Sequence, residues 1–137
     1  MLISNTGSYA IRACNFLGQQ ESGEFVSIKL ISENMGISYH YLAKIFQRLS
    51  NEGIIDSLKG PHGGVRLRTK PDRINLLDIA LATDFHFSED VKMIKEKAGT
   101  TLPERPLMEY LRIKTMDVIV MFEETSLQTF ISHKTEK

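Results

Sequence analysis

Cysteine is almost missing from this sequence of 137 residues, which contains only Cys14. One thiol forms no disulfide within the chain, no CxxC redox pair and no zinc finger, a pattern typical of a protein that works inside the cell. Two copies of the chain would bring only two thiolates, too few for a cluster held mainly by cysteine. The sequence therefore predicts an intracellular protein with no metal site and no cofactor.

Tryptophan is absent, and glycine and proline are sparse at 9 and 4 residues, which excludes collagen-like and low-complexity chains. No apolar run approaches the ~20 residues that span a membrane, and no basic-then-apolar segment follows Met1. The sequence also lacks HExxH, GxSxG, Walker and dinucleotide-binding motifs. We therefore expect a cytoplasmic protein that does not contact membranes and is not an enzyme.

Net charge is also missing, because 17 basic residues balance 17 acidic ones. The distribution is uneven, however. Residues 28–75 carry eight basic and four acidic side chains, a net +4, between two net acidic ends. A basic middle segment suits an anionic partner, although a solvated mixed surface would look the same.

Hydrophobic residues make up 42% of the chain, enough for a core, and their spacing predicts mainly helices. We expect helices at residues 5–19, 28–34 and 39–51, with a tight turn at Gly36 between the last two. Phe25-Val26 could form a short strand. Two helices joined by such a turn are typical of a helix-turn-helix.

Two β-prone runs follow, at residues 54–58 and 65–68, and the loop between them contains glycine and proline. This pattern predicts a β-hairpin, and a hairpin just after a helix-turn-helix is a wing. Val65 and Leu67 alternate with Arg66 and Arg68, so both arginines are expected on the solvent face. A helix at residues 76–83 completes a predicted winged helix-turn-helix domain at residues 1–83.

The residue types on this domain suit DNA. The start of the third helix would enter the major groove, and the slim tip of the wing would reach the minor groove. The predicted contacts on the third helix are Ser38, Tyr39, His40, Lys44 and Arg48. On the wing they are Lys59, Gly60, His62, Gly63, Gly64 and Arg66. Ser27, which caps the second helix, is expected at a phosphate.

Alternatives remain for each element. A helix-turn-helix pattern is often only a tight helical corner, and a glycine-rich hairpin is often only a turn. The run 60–63 also matches the GxxG loop of KH-type RNA binders, but strands rather than helices flank it here. Cys14 could be a buried small hydrophobe or an exposed redox sensor.

The C-terminal part has a different pattern. Residues 84–104 have weak periodicity and predict a linking loop, with a short helix near 89–97. Residues 105–137 predict a long helix, about 105–124, and a tail helix at 127–131. The long helix has apolar residues on two faces, so it needs two partners, one of them the same helix of a second subunit. The expected dimer contacts are Leu107, Leu111, Val118, Met121 and Phe122; Ile113, Ile119 and Val120 form the second strip.

Three segments of residues 1–83 carry a family resemblance: residues 2–13 (LISNTGSYAIRA), residues 31–72 and residues 74–80 (INLLDIA). The most specific pattern is Ser38-x-x-Tyr41-Leu42, then Leu49, Gly53, Lys59-Gly60-Pro61 and Gly63-Gly64. The chain thereby resembles the BadM/Rrf-type family of bacterial winged-helix transcriptional regulators. The resemblance implies a homodimer that binds a double-stranded DNA operator, usually as a repressor, and dimerises through the helix at 105–124. It also implies that residues 38–41 and 44 lie at the major groove and residues 59–64 at the minor groove.

The sequence departs from the family in three places. Iron–sulfur members carry three cysteines in the loop before the dimerisation helix, and residues 84–103 here have none. Ala43 replaces a glutamate with which some relatives read bases, and Lys59 stands where arginine is common. The resemblance therefore implies a member without the cluster and with its own operator sequence.

The prediction is a homodimeric, sequence-specific DNA-binding regulator, with an unidentified effector or protein partner as a further candidate ligand. The alternative is a winged-helix module for protein–protein contact, which regulates or scaffolds an enzyme without meeting DNA.

Overall fold

The computed structural model describes residues 3–21, 23–96 and 106–135. Within them the element order is α1 (Asn5–Gly18), α2 (Ile28–Met35), α3 (Tyr39–Asn51), β1 (Ile55–Leu58), β2 (Gly64–Leu67), a 3₁₀ turn (Pro71–Arg73), α4 (Leu76–Thr83), α5 (Phe85–Glu96), α6 (Pro106–Glu124) and α7 (Leu127–Thr135). The predicted fold class, mainly α with a small β-hairpin in a winged helix-turn-helix followed by a long helix, is confirmed.

Short polar residues fix where the helices begin. Ser4, Ser27, Ser38 and Asn75 lie just before α1, α2, α3 and α4, and each side chain accepts a hydrogen bond from a backbone N–H in the first turn. These bonds satisfy donors that have no partner inside the helix. The observed helices therefore start at or within one residue of the predicted positions.

The core surrounds α1, whose buried face includes Ala10, Cys14 and Leu17. The predicted apolar stripe of α3 packs into this core, with Leu42, Ile45, Phe46 and Leu49 all buried. The antiparallel hairpin pairs Ile55 with Leu67 and Leu58 with Gly64. The expected strand at 25–26 is reduced to one bridge, in which Val26 and Val65 exchange two backbone hydrogen bonds of 2.8 Å. This bridge ties the wing to the chain before α2.

The last two helices return to the winged domain. Leu127 and Ile131 of α7 are buried in the main core, and the Leu127 N–H donates to Ile74 O at 2.6 Å. The inner side of α6 packs through Ile119 against a second, smaller cluster that includes Phe87 of α5 and Leu77 of α4. No helix in the described ranges is long and apolar enough to span a bilayer.

The predicted loop over 84–104 begins with a helix instead. The short helix expected near 89–97 starts at Phe85, because Asp84 caps it: the Phe87 N–H donates to Asp84 Oδ1 at 3.1 Å. Phe87 and Val91, four residues apart, anchor the helix in the smaller cluster. The sequence carried this signal, since aspartate is a favoured N-cap. The rest of the predicted loop, 97–104, lies outside the described residues, as does the first predicted residue of α6.

Candidate nucleic-acid interface

The helix-turn-helix is built around Gly36, which ends α2 in the left-handed conformation at φ +68°. A residue with a side chain is strained there, whereas glycine is not. The hydroxyl of Ser32 in α2 donates to the carbonyl of Ile37 and holds the turn closed. Ser38 then starts α3, whose apolar stripe is fully buried. The buried stripe fixes which side of α3 faces outward.

The outward side of α3 begins with Tyr39, His40 and Lys44, all exposed as predicted. The rings of Tyr39 and His40 meet edge to face, with centroids 5.7 Å apart. These side chains offer two aromatic edges, hydrogen-bonding groups and a cation at the N-terminal end of one helix. Such a set can reach both base edges and phosphates in a major groove.

Two other predicted α3 contacts are engaged within the subunit. Tyr41 is half buried against α1, where its hydroxyl pairs with that of Thr6 and its ring meets Tyr9 edge to face at 6.0 Å. The guanidinium of Arg48 donates through Nη1 to Thr83 O at the end of α4, at 2.9 Å. The structure thus places Tyr41 between helices and ties Arg48 to α4. Sequence spacing gives the side of a helix but not these tertiary partners.

Ser27 and Ser38, both predicted to contact DNA, use their hydroxyl oxygens to cap their own helices. Ser27 Oγ accepts from the Leu30 N–H at 3.1 Å, and Ser38 Oγ accepts from the Tyr41 N–H at 3.2 Å. Each hydroxyl still has its hydrogen to donate, and both residues are exposed. A phosphate contact by Ser27 or Ser38 is therefore compatible with the cap.

The tip of the wing exposes Lys59, Gly60, Pro61 and His62, as predicted. Its turn is closed by the Gly63 N–H, which donates to Gly60 O at 3.0 Å. Gly60 has a φ of +110° and open space around its Cα. The backbone at this residue is therefore free to approach a ligand closely.

Packing within the subunit requires glycine at positions 63 and 64. A Cβ on Gly63 would lie 2.0 Å from Leu58 O, and one on Gly64 would lie 2.1 Å from Val26 O. Both residues are half buried. Their missing side chains therefore let the hairpin close and let it dock on the chain before α2. These contacts give both glycines an internal packing role, and their contact with the minor groove stays a prediction.

Arg66 is the most constrained basic side chain of the wing. Its guanidinium lies over the Phe25 ring at 4.2 Å, and Nη1 donates to Gly23 O at 2.9 Å. Asp56, on the facing strand, lies 3.7 Å from Nε. Arg66 lies on the solvent side of the hairpin, as predicted, with its side chain 37% exposed, but these contacts hold its guanidinium within the subunit and fix the base of the wing. Alternation along the strand predicts the side on which Arg66 lies, but it does not predict the contacts of its guanidinium with Phe25 and Gly23.

Lys29 is a further exposed cation that was not among the predicted contacts. This residue is exposed in the first turn of α2, two positions after the Ser27 cap. Within the described residues, Lys29, Lys44 and Lys59 form no hydrogen bond or ion pair, so their ammonium groups are open to an anion. A helix N-terminus itself favours anions, so a lysine two positions after the Ser27 cap was a usable signal.

The outer side of α6 leaves a row of apolar residues in solvent. Leu107, Leu111 and Met121 are exposed, Leu107 by 68%, and Val118 is half buried. Phe122 differs from the prediction, because it packs against both cores and its ring lies 5.8 Å from that of Phe87. The exposed set also includes four residues left out of the expected interface: Met108, Tyr110, Ile113 and Val120.

The three residues of the second predicted strip of α6 do not share one environment: Ile119 is buried, whereas Ile113 and Val120 face outward. Apolar character alone does not predict which residues of α6 pack against the smaller cluster.

Cys14 is fully buried in the main core, and this burial raises the pKa of its thiol to about 12. A thiol with such a pKa carries almost no thiolate near neutrality, and thiolate is the form that reacts and binds metals. Of the two interpretations left open by the sequence, the structure supports the small buried hydrophobe. Within 3–21, 23–96 and 106–135, no group of three or more histidine, cysteine or acidic side chains could hold a metal ion.

Solved structures with the same fold include CymR (YrzC), described as the global cysteine regulator of B. subtilis. It matches with a TM-score of 0.74 and 24% identity over 96% of both chains. The oxidized form of Staphylococcus aureus CymR matches with a TM-score of 0.72 and 26% identity, again over 96% of both chains. Winged-helix regulators of this kind therefore share the fold over nearly the whole chain.

Curated relatives match over 84 to 88 residues of the chain. The HTH-type transcriptional regulator NsrR of Bacillus subtilis (strain 168) is 33% identical over 88 residues, which are 64% of this chain and 60% of NsrR. The HTH-type transcriptional regulator IscR of Aliivibrio salmonicida is 36% identical over 84 residues, 61% of this chain and 50% of IscR. The chain thus spans between half and three fifths of the curated relatives it matches.

The Rrf2 family model, described as "Iron-dependent Transcriptional regulator", matches residues 3–131. The donors of this chain do not fit a cluster held by cysteine, because its one thiol is buried and this burial raises the thiol pKa to about 12. With a match that covers all but a few terminal residues, the chain belongs to the Rrf2 family of transcriptional regulators.

Proposed function

We propose that this protein is a homodimeric, sequence-specific DNA-binding regulator that acts as a repressor and works without an iron–sulfur cluster. The observation that carries the proposal is the exposed start of α3, where Tyr39, His40 and Lys44 lie on the side opposite the buried stripe. The wing tip adds Lys59 and His62 on the same domain. A regulator of transcription works beside the chromosome, so the proposal places the protein in the cytoplasm.

The two parts of this surface have different tasks. Cations such as Lys29, Lys44 and Lys59 are suited to phosphates, which carry no sequence information. His40 and Tyr39, at the start of α3, are suited to base edges in the major groove. The internal bonds of Arg48 and Arg66 support the proposal indirectly, because they hold α3 and the wing in place.

The outer side of α6 supports the homodimer. Large apolar residues exposed in a row are rare on monomers and are typical of an interface. Pairing two such helices would hold two α3 helices at a fixed spacing. The operator would then be two-fold symmetric, with half-sites about one helical turn apart or a multiple of it.

A second candidate is the protein-contact module. Leu30 of α2 and Leu58 of the wing are 52% and 50% exposed, and a surface for another protein would use such residues. The neighbouring free lysines favour DNA instead. Leu30→Ser and Leu58→Ser separate the two functions, since they would abolish a protein contact and leave phosphate binding intact.

The experiment that tests the proposal is selection of bound sites from fragmented genomic DNA, followed by titration of the best site at several salt concentrations. We expect one enriched two-fold motif. The logarithm of the association constant should fall with the logarithm of salt by about 0.9 for each phosphate neutralised. No binding at low salt, or a flat salt response, would contradict DNA binding. The purified protein should be colourless, and stoichiometric iron with visible absorbance would contradict the cluster-free part.

A matched pair of variants separates affinity from sequence reading. Lys59→Ala should weaken binding to all DNA sequences alike, because a wing-tip cation contacts the backbone or the minor groove. His40→Ala should narrow the difference between operator and random DNA. Equal effects of the two substitutions across a panel of sequences would contradict these roles.

A further inference from the structure

A cavity of about 650 Å³ lies beside the base of the wing. Its walls come from the end of α1, the last residues of β2, the 3₁₀ turn and Gln128 of α7. None of its described lining residues belongs to α3 or to the tip of the wing, so the cavity is separate from the exposed groups of the candidate DNA surface. Pockets of about 300–1,000 Å³ commonly bind small molecules. The size and position of this cavity therefore suit a small ligand rather than DNA.

The floor of the cavity is formed by packing between α1, the 3₁₀ turn and α7. Leu17 of α1 is buried there, and Gly18 follows it. A Cβ on Gly18 would lie 2.5 Å from Ile131 Cδ1 of α7 and 3.5 Å from Pro71 Cγ. The three elements therefore meet directly at this glycine, and the floor belongs to the main core rather than to surface side chains. A cavity with such a floor is largely formed before a ligand enters.

Four cations line the cavity, and three of them have donors left for a ligand. Arg68 is paired with Asp56 at 2.8 Å. The guanidinium of Arg66 is fixed against the loop before α2, but a guanidinium carries five N–H donors, so one held in this way can still bind a carboxylate. Lys70 and Arg73 are exposed, and within the described residues their side chains form no hydrogen bond or ion pair.

Carboxylates line the same cavity. Glu21, Glu24 and Asp72 are exposed, and among residues 3–21, 23–96 and 106–135 their side chains have no hydrogen-bond or ion-pair partner. Cations and carboxylates thus share one cavity without neutralising each other. A ligand with negative charge alone would meet the three carboxylates, and a ligand with positive charge alone would meet the cations. A molecule that carries both charges matches both sets.

We propose that this cavity binds a small zwitterion of the free amino acid class, and that this ligand is an effector of the regulator. The cations would bind its carboxylate, and the acidic side chains would bind its ammonium group. The effector role rests on the proposed DNA-binding function. Because Arg66 fixes the base of the wing and Gln128 belongs to α7, a ligand between them would join the wing to the C-terminal helices. We expect the bound ligand to change operator affinity by about fivefold, which is within the usual range of coupling between two sites.

Saturation-transfer NMR with the standard free amino acids shows which of them bind the wild-type protein, and calorimetry gives their dissociation constants. For an amino acid that binds, the matching amine without the carboxylate and the matching acid without the ammonium group should each bind about tenfold more weakly. Lys70→Gln and Glu24→Gln should also weaken binding about tenfold. Lys92→Gln and Glu89→Gln, exposed on α5, make the same charge changes elsewhere and should bind like wild type.

The outcomes separate the site from the proposed function. Circular dichroism checks that every variant is folded. The site is overturned if no amino acid binds, if the amine or the acid binds equally well, or if the variants of the cavity bind like the α5 controls. Binding that leaves operator affinity unchanged would overturn the effector role. If the protein binds no DNA, the proposed function is wrong, and calorimetry still decides whether the cavity takes a zwitterion.

Discussion

The winged region (residues 27–68) and helix α6 differ in how their side chains are used at the surface. In the winged region, cap hydroxyls, glycines and arginines are occupied by contacts within the subunit, as Ser38, Gly64 and Arg66 show. In α6 the outer side keeps Leu107 and Leu111 in solvent. The winged region is therefore structurally complete as one subunit, and its remaining exposed groups are mostly polar. In the proposed homodimer a second copy of the chain covers the outer side of α6.

This difference predicts which measurement each change will affect. A substitution on the outer side of α6 should alter association and leave the unfolding of the subunit nearly unchanged. A substitution in the winged region should alter unfolding or DNA binding and leave association unchanged. A substitution between the two regions should have a smaller effect on association and on unfolding.

Leu111→Asp should have the largest effect. Leu111 is 50% exposed in the subunit, so the new carboxylate is tolerated there, but it would be buried without a partner in the proposed dimer. Burying such a charge costs several kcal/mol, on the order of 3–5 kcal/mol for a buried pair that loses one member. We expect a folded monomer by light scattering and circular dichroism, and a loss of operator binding.

Gln128→Asp, exposed on α7, is the control for this change and should remain a dimer. A Leu111→Asp protein that dimerises with unchanged affinity would show that the outer side of α6 is not the seam.

Gly64→Ala tests the packing of the hairpin against the chain before α2. The added methyl group would lie 2.1 Å from Val26 O and would push apart the bridge between Val26 and Val65. Overpacking of this kind costs about 1–3 kcal/mol of unfolding free energy. Urea denaturation should show this loss, and sedimentation should show an unchanged dimer.

Ser57→Ala, on the exposed side of the same hairpin, should change the unfolding free energy by less than about 0.5 kcal/mol. Equal stability of Gly64→Ala and Ser57→Ala would contradict the packing role of the glycine.

The sequence predicts the winged region better than the rest because its signals are local. Ser27, Gly36 and Ser38 mark helix ends by their own chemistry, and the stripe of α3 has a clear helical period. The predicted helices there agree with the structure to within a residue. The start of α5 was missed although it has a local signal of the same kind, the Asp84 cap.

The site was harder to predict because it depends on tertiary partners. Arg48 has the spacing of an exposed DNA contact, but its partner is a carbonyl 35 positions away in sequence. Gly63 and Gly64 resemble flexible loop residues, yet backbone oxygens from other segments explain them. On α6, Phe122 and Ile113 are both apolar, and only packing against the smaller cluster separates the buried one from the exposed one.

Asp84→Asn tests the link between the two regions. The Asp84 carboxylate accepts the Ser4 N–H at 2.6 Å and the Phe87 N–H at 3.1 Å, and so joins the chain before α1 to α5. Burial acts to raise the pKa of Asp84, but these backbone hydrogen bonds lower it, and the pKa lies below its ordinary value. The variant should lose about 1–3 kcal/mol of unfolding free energy at neutral pH.

The stabilisation by the Asp84 carboxylate should depend on pH. Because the pKa is lower in the folded state, the carboxylate stabilises the fold fully above the unfolded pKa of about 4 and loses this effect as pH falls through the folded pKa. The difference between wild type and Asp84→Asn should therefore shrink in acid, as urea titrations at stepped pH would show. Asp90→Asn, exposed on α5, is the control. A difference that stays constant with pH would contradict the role of the charge.

The smallest effects separate two cations of α3 that look alike in the sequence. Arg48 donates to Thr83 O and holds α3 against α4, whereas Lys44 has no recorded partner within the described residues. Arg48→Ala should therefore lower the unfolding free energy by about 1 kcal/mol, the net value of a partly exposed hydrogen bond. Lys44→Ala should leave unfolding unchanged and reduce the salt dependence of DNA binding by about one phosphate. Urea denaturation and salt titrations of both variants decide the matter. If Arg48→Ala loses a phosphate contact without losing stability, then Arg48 belongs to the DNA-facing set and the winged region is less complete than its internal bonds indicate.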